Sequence, residues 1–309
     1  MNLKGCSIVD EKILYSSFQN ISTQTSLTDL TLSFDEKNIL NNFISLGNLH
    51  QLKNLNLNFG SLANGNISLI SKAFSCLKNL ESFGLYIYRS NESDKRAYCL
   101  ADALTSLTNL KSLTLTFHLA TFLTDNFCNY FKEPLSKLQE LEYLELYFPN
   151  SQTTDQGIVE IASTLISLRK LISLKLNFYH CQNKDKSLEA IGNAILKMSQ
   201  IRLLSLIFSR SMVTSQGILF IDRTISKLHA LKDISLKFSH CENIEDYSVK
   251  RLCESMKGLK QLQSLYVDFE GSTKNEFEKE VVDSLKNSLP FLKSFSFLTT
   301  NIYPEVIHM

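Results

Sequence analysis

Two His-Cys dipeptides are the residues in this sequence whose types could bind a metal ion. The dipeptides are His180-Cys181 and His240-Cys241. Together they supply two imidazoles and two thiols, which is a common ligand set for zinc. The sequence repeats about every 30 residues, which places the dipeptides two strands apart, or about 9.6 Å at about 4.8 Å per strand. Ligands of one zinc ion lie within about 4 Å of each other. We therefore expect structural turn residues here and no metal site.

Catalytic motifs are missing from the sequence. It contains no GxxxxGK[ST] phosphate loop, no GxSxG nucleophile turn, no HExxH zinc helix and no kinase signature. Nearly every residue already has a structural role in the repeat. The sequence therefore predicts a protein that is not an enzyme and that has no catalytic residues and no cofactor.

A second group of candidates consists of large or charged side chains at the solvent-facing positions of the predicted strands. The predicted partner-binding residues are Tyr86, Tyr143, Glu145, Tyr147, Lys175, Leu203, Ile207, Lys237 and Tyr266. Exposed tyrosine with apolar neighbours is typical of protein–protein hot spots, although strands also favour Tyr and Ile without any function. Glu145 and Lys175 fall on adjacent strands, and we expect them to pair with each other rather than do chemistry.

These side chains are positioned by a repeated pattern, LxxLxLxF, in which Leu, Ile, Val or Phe fills the apolar positions. The ten copies begin at Leu27, Leu52, Leu80, Leu110, Leu141, Leu171, Ile201, Leu231, Leu262 and Leu292. From the third copy onward the spacing is 30 or 31 residues. A constant period of this size indicates a stacked repeat architecture.

Each copy predicts one strand and one helix. Apolar residues alternate with polar ones in the strand, as at Leu174, Leu176 and Phe178, which indicates burial on one face. Helical segments have apolar residues at i, i+3, i+4 and i+7. One example of that spacing is Ile158, Ile161, Ala162 and Leu165.

Helix boundaries are also visible in the sequence. Thr154 and Asp155 precede one helix, and Thr214 and Ser215 precede the equivalent helix two repeats later. Such side chains accept hydrogen bonds from the free N–H groups of the first turn. Pro134 falls inside the predicted helix of the repeat that starts at Leu110, and we expect it to break or kink that helix.

Strands that always alternate with helices must run parallel, with each helix as the crossover. Strands lie about 4.8 Å apart, whereas packed helices need about 8 to 10 Å, so the layers bend with the strands inside. The sequence therefore predicts an α/β horseshoe with a concave parallel sheet of about 10 to 11 strands and helices on the convex side. The polar face of that sheet is the predicted functional surface.

The strand pattern and the segments TTDQGIVEIASTL and VTSQGILFIDRTI resemble leucine-rich repeats of the ribonuclease-inhibitor-like class. The resemblance covers nearly the whole chain, and it implies a solenoid fold and protein recognition. One departure is that the family usually places Asn or Cys just after the strand, whereas here phenylalanine occupies the preceding position. We interpret these residues as an inward aromatic spine, formed by Phe34, Phe59, Phe117, Phe148, Phe178, Phe208, Phe238 and Phe269.

The repeat indicates a single domain over 1–309. It is divided into a degenerate N-terminal cap over 1–26, repeats over 27–298 and a C-terminal tail over 299–309. The last strand, from Leu292 to Phe297, is expected to be an exposed edge unless the tail or a partner covers it.

The amino-acid composition disfavours several classes of function and indicates a location. With 32 basic and 31 acidic residues and no basic stripe, the sequence disfavours nucleic-acid binding. It shows no signal-peptide core and no apolar run of about 18 residues, so no membrane insertion is expected. Seven cysteines without a CxxC pair indicate reduced thiols and a cytoplasmic location.

The leading hypothesis is a non-catalytic scaffold that binds a protein partner on the concave sheet, alone or as a subunit of a larger assembly. One alternative is a GTPase-activating protein of the Ran type, which resembles this architecture. That family usually carries a strongly acidic C-terminal region, whereas this sequence ends in TTNIYPEVIHM. Another alternative is the sensor arm of a ubiquitin-ligase or kinase-linked complex, although no adaptor-binding helix or kinase segment supports it.

Overall fold

The computed structural model describes residues 20–21, 23–34, 41–61, 66–89, 94–119, 123–273, 279–299 and 307–308. The chain forms two compact units, Met1–Ser151 and Gln152–Met309. The single domain over 1–309 stays a prediction. The predicted cap over 1–26 and the predicted tail over 299–309 lie mostly outside the described residues.

The first unit alternates strands with helices, as the change of apolar period predicts. Its elements are β1 (Asp29–Phe34), a 3-10 helix (Asn41–Asn48), β2 (Asn54–Phe59), α1 (Asn66–Phe74), β3 (Ser82–Ile87), α2 (Asp94–Leu104), β4 (Ser112–Phe117), α3 (Asp125–Lys137) and β5 (Tyr143–Tyr147). Neighbouring strands from β1 to β5 pair in parallel and in chain order. The helices are therefore the crossovers between adjacent strands.

The second unit continues the same alternation. Its elements are α4 (Asp155–Leu165), β6 (Ser173–Asn177), α5 (Asp185–Ile195), β7 (Leu203–Ile207), α6 (Ser215–Ile225), β8 (Asp233–Lys237), α7 (Asp246–Met256), β9 (Ser264–Asp268), α8 (Lys279–Asn287), β10 (Ser294–Leu298) and β11 (Ile307–His308). Strands β6 to β10 pair in parallel and in chain order. The predicted fold class, an α/β repeat solenoid with helices between parallel strands, is confirmed.

The last parallel strand is partly covered by the tail. Strand β11 pairs antiparallel with β10, with Ser294 opposite His308 and Phe295 opposite Ile307. The sequence predicts an exposed edge unless the tail or a partner covers the last strand. The tail covers part of it, because β11 supplies backbone that pairs with β10.

The predicted aromatic spine is confirmed. Its phenylalanines are at most 2% exposed, except Phe34, which is half-buried. In the second unit the spine rings are those of Phe178, Phe208, Phe238 and Phe269, and consecutive ring centroids lie 5.6, 6.2 and 5.6 Å apart. Consecutive spine rings therefore pack against one another.

A left-handed turn follows the spine position in successive repeats. Residues with positive φ are Leu119, Asn150, His180, Arg210, His240 and Gly271, each two positions after its spine residue. This conformation is unfavourable for residues other than glycine. Backbone bonds to the next repeat offset the cost: the N–H groups of His180 and Arg210 donate to the carbonyls of Ser209 and Ser239 over 2.9 and 2.8 Å.

Helix starts are linked from one repeat to the next. Thr154 accepts from the N–H of Gln156 at the start of its own helix, as predicted, and Thr214 does the same at α6. Asp155, by contrast, does not cap its own helix. Its Oδ1 accepts from the N–H of Lys184 over 2.8 Å, at the start of the next helix.

The same arrangement recurs further along the second unit. Asp185 Oδ1 accepts from the N–H groups of Thr214 and Gly217 over 2.8 and 3.0 Å. Ser215 Oγ accepts from the N–H of Glu245 over 2.8 Å, so its predicted role as a cap of its own helix is also replaced by a bond to the next one. The starts of α5, α6 and α7 are therefore each stabilised by a side chain from the preceding repeat.

Of the break or kink predicted at Pro134, the break is wrong, whereas the kink stays a prediction. Helix α3 runs without interruption from Asp125 to Lys137, and Pro134 lies on its buried face beside Phe131 and Leu135. Proline inside a helix costs about 3 kcal/mol. Burial of this apolar face offsets that cost, because the proline ring itself contributes to the packing.

Asn183 is a buried polar residue whose side chain has no hydrogen-bonding partner among the residues that the structure describes. Both its Nδ2 and its Oδ1 are buried, and neither bonds to any described residue. The same position one repeat later, two residues before the helix, is held by Val213, which is also fully buried. An unsatisfied buried amide costs free energy that an apolar residue of similar size avoids.

We therefore expect Asn183→Val to raise the free energy of unfolding by about 1 to 3 kcal/mol. Chemical denaturation measures this quantity. The reciprocal change, Val213→Asn, should lower it by a similar amount because it places the same unsatisfied amide one repeat further on. A loss of stability in Asn183→Val would show that the amide is satisfied in solution.

Candidate functional site

A cluster of aromatic rings, one exposed and three half-buried, lies at the carboxyl ends of β3, β4 and β5 in the first unit. The ring centroids of Tyr88 and His118 are 5.3 Å apart, and those of His118 and Tyr147 are 4.7 Å apart. Tyr88 is 51% exposed. We call Tyr86, Tyr88, His118 and Tyr147 the aromatic cluster. Its members come from three adjacent strand ends, and the parallel register brings them together.

A depression of about 380 Å³ adjoins the aromatic cluster. Its lining includes Asn58, Phe59, Tyr86, Tyr88, Thr116 and His118. All of these residues belong to the first unit. The depression therefore combines aromatic faces with hydroxyl, amide and imidazole groups, a composition suited to recognition of a side chain or peptide.

Glycine makes room for this site on β3. A Cβ built on Gly84 would lie 2.9 Å from a ring carbon of Tyr86 and closer still to the side chain of Asn56. Any larger residue at this position would therefore force the side chains of Asn56 and Tyr86 to shift.

Polar groups surround the aromatic cluster. The guanidinium carbon of Arg89 lies 5.7 Å from the ring centroid of Tyr88, within the range of a cation–π contact. Asn58 Nδ2 donates to Ser33 Oγ over 3.1 Å. Burial lowers the pKa of His118, so its ring is neutral at pH 7 and offers one donor and one acceptor.

The remaining predicted residues of the first unit lie nearer the start of β5. Tyr143 is 48% exposed and pairs in register with Ser112. Glu145 is half-buried and lies opposite Thr114. Tyr86 lines the depression and the ring of Tyr147 packs on His118, so the structure joins these two residues to the aromatic cluster. Neither Tyr143 nor Glu145 lines the depression.

In the second unit, the predicted residues occupy adjacent strands. Leu203 and Ile207 are half-buried at the two ends of β7, and Ile207 lies opposite Lys237. The Nζ of Lys237 lies 4.6 Å from the ring centroid of Tyr266, a cation–π contact within the sheet face. Burial and the nearby carboxylates of Asp268 and Glu270 raise the pKa of Tyr266.

The last predicted residue of this unit, Lys175, is exposed and lies opposite Ser205. Its expected pairing with Glu145 stays a prediction, because the two residues belong to different units.

The His-Cys dipeptides lie in the turns that follow the spine. His180 and His240 take the left-handed conformation. Cys241 is buried, its N–H donates to Ser272 Oγ over 2.8 Å, and burial raises the pKa of its thiol. Across the described ranges, no three His, Cys, Asp or Glu side chains gather in a way that could hold a metal ion.

Sequence reasoning missed Tyr88 and His118. Both directly follow the spine position, one residue beyond the strand, whereas the predicted surface rows end within the strand. The same position is held by Gly60 on one side and by Pro149 on the other. A comparison of this position across the repeats would have revealed two adjacent aromatic residues.

Comparison with known proteins finds no family model that matches the chain and no curated protein that matches it significantly. Among the described helices, none has the length and apolar character needed to cross a membrane.

The packing of His118 can be tested by its titration. We expect Tyr147→Ala to raise the pKa of His118 toward its ordinary value of about 6.5, because loss of the ring admits water. NMR titration of the imidazole C–H signals measures this shift. Tyr143→Ala, which removes a ring from the other end of the same strand, should leave the pKa unchanged. An unchanged value in Tyr147→Ala would contradict the ring contact.

Proposed function

We propose that the protein is a non-catalytic recognition scaffold that binds a protein partner, and that its repeats are leucine-rich repeats of the ribonuclease-inhibitor-like class. The observation that supports this most strongly is the aromatic cluster beside the depression in the first unit. Tyrosine and histidine rings on neighbouring strand ends form a compact surface, and such rings often contribute most of the binding energy of an interface.

Rigidity supports the same proposal. The cluster follows strands whose inward residues, such as Leu115, Phe117 and Leu146, are at most 1% exposed. Side chains held by such a core lose little conformational freedom when a partner binds, so more of the contact energy appears as affinity.

The cysteines are compatible with a cytoplasmic location, which we propose for this protein. Six cysteines in the described part of the chain are not disulfide-bonded. Burial raises the pKa of the Cys253 thiol to about 12, which keeps it protonated and unreactive. Free, protonated thiols are typical of proteins in reducing compartments.

The binding surface can be tested with single substitutions. Affinity purification from native cells identifies the partner, and its affinity is then measured with both proteins purified. We expect Tyr88→Ala and Tyr147→Ala each to weaken binding about tenfold or more, because hot-spot tyrosines contribute about 1.4 kcal/mol or more.

Tyr247→Ala is the matched control. Tyr247 is 50% exposed, as Tyr88 is, but lies on α7. It should leave affinity unchanged, and all three variants should keep the wild-type melting temperature. Wild-type affinity in both cluster variants would contradict the proposed surface. Stimulation of GTP hydrolysis by a small GTPase partner would instead favour the regulator of the Ran type.

A further inference from the structure

The residues that directly precede the strands form a continuous row along each unit. In the first unit this pre-strand row contains Lys53, Glu81, Lys111 and Glu142, and in the second unit it contains Ile172, Arg202, Lys232, Gln263 and Lys293. Within each unit, the N–H of every member after the first donates to the carbonyl of the preceding member over 2.7 to 2.8 Å. Neighbouring members therefore lie about one strand spacing apart, or about 4.8 Å.

In the pre-strand row of the first unit, basic and acidic side chains form ion pairs with each other. Lys53 Nζ lies 3.0 Å from Glu81 Oε1, and Lys111 Nζ lies 2.8 Å from Glu81 Oε2. These contacts, led by the hydrogen bond from Lys111, lower the pKa of Glu81. Basic and acidic residues thus alternate along this row.

The pre-strand row of the second unit contains no acidic residue. Arg202 and Lys232 are adjacent in it, and Lys293 follows one position after Gln263. None of these three cations forms an ion pair with any residue that the structure describes. Asp233, which directly follows Lys232, is not within ion-pair distance of them either. The fold therefore creates a basic stripe that the sequence analysis did not find.

We propose that the pre-strand row of the second unit docks an acidic segment of a protein partner; this deepens the proposed scaffold function and rests on it. The planar guanidinium group of Arg202 can donate two parallel hydrogen bonds to one carboxylate, and Lys232 and Lys293 add positive charge. The row from Arg202 to Lys293 spans three strand spacings, or about 14 Å. An extended segment of about five residues covers that length, with carboxylates on alternate residues facing the row.

Local composition favours a protein over a nucleic acid. Binding of single-stranded nucleic acid uses aromatic side chains on which bases stack. The residues that follow the row in the second unit are Ser173, Leu203, Asp233, Ser264 and Ser294, and none is aromatic. Leu203 instead gives an apolar contact beside Arg202.

The probe is a fluorescent ten-residue peptide with glutamate at alternate positions, together with its glutamine version. We expect the full-length protein to bind the glutamate peptide saturably, with affinity that falls as salt is added, and not to bind the glutamine peptide. Arg202→Gln with Lys232→Gln should weaken binding at least tenfold. The matched control, Lys53→Gln with Lys111→Gln, removes the same charge from the first unit and should bind as the wild type does.

Three results would overturn the proposal: equal weakening in both double variants, no weakening in either, or complete displacement of the peptide by a single-stranded oligonucleotide of equal charge at the same concentration. Tyr88→Ala separates this result from the proposed function, because it should leave peptide affinity unchanged while weakening the native partner. Peptide binding that persists in Tyr88→Ala supports the basic row even if the aromatic cluster proves unimportant.

Discussion

Backbone hydrogen bonds between consecutive repeats are the constraint on which the rest of each unit depends. A single repeat cannot cover its own apolar side, so it is stable only when the next repeat packs against it. The bonds fix the register of that packing: the N–H of Lys232 donates to the carbonyl of Arg202 before the strand, and His240 donates to Glu270 after it. Equivalent positions are therefore forced into rows along each unit.

Inner rows of side chains stabilise the fold, whereas outer rows are available for recognition. The aromatic spine and the strand leucines supply apolar burial, and the residues at the helix starts supply hydrogen bonds between repeats. Asp185, for example, accepts from two N–H groups and from the hydroxyl of Thr214 at the next helix. Because these inner rows hold the register, the outer rows can vary without loss of the fold. Tyr86 and Thr116 hold equivalent positions on adjacent strands although their side chains differ in size and chemistry.

Local periodicity explains what the sequence could predict. The strand and helix alternation, the buried spine and the cap at Thr154 all depend on residues within a few positions of one another. Contacts between repeats could not be predicted in this way, because they join residues about 30 positions apart. Asp155 looks like a cap of its own helix, yet it bonds across a repeat to Lys184. The basic row was hidden for the same reason: Arg202 and Lys232 are far apart in a sequence whose net charge is only +1. The aromatic cluster was found only in part, since Tyr88 and His118 lie just beyond the strand ends.

The two proposed surfaces would make different contributions to the same binding reaction. Aromatic rings beside a depression exclude water from close contacts, which mainly slows dissociation. Cations that form no ion pair within the described part of the chain attract an acidic segment over about a Debye length, which mainly speeds association and weakens with salt. A partner that used only the aromatic cluster would bind with little dependence on ionic strength. A partner that used both would show a salt-dependent association rate and a dissociation rate governed by the tyrosines, so kinetics separates the two contributions where affinity alone cannot.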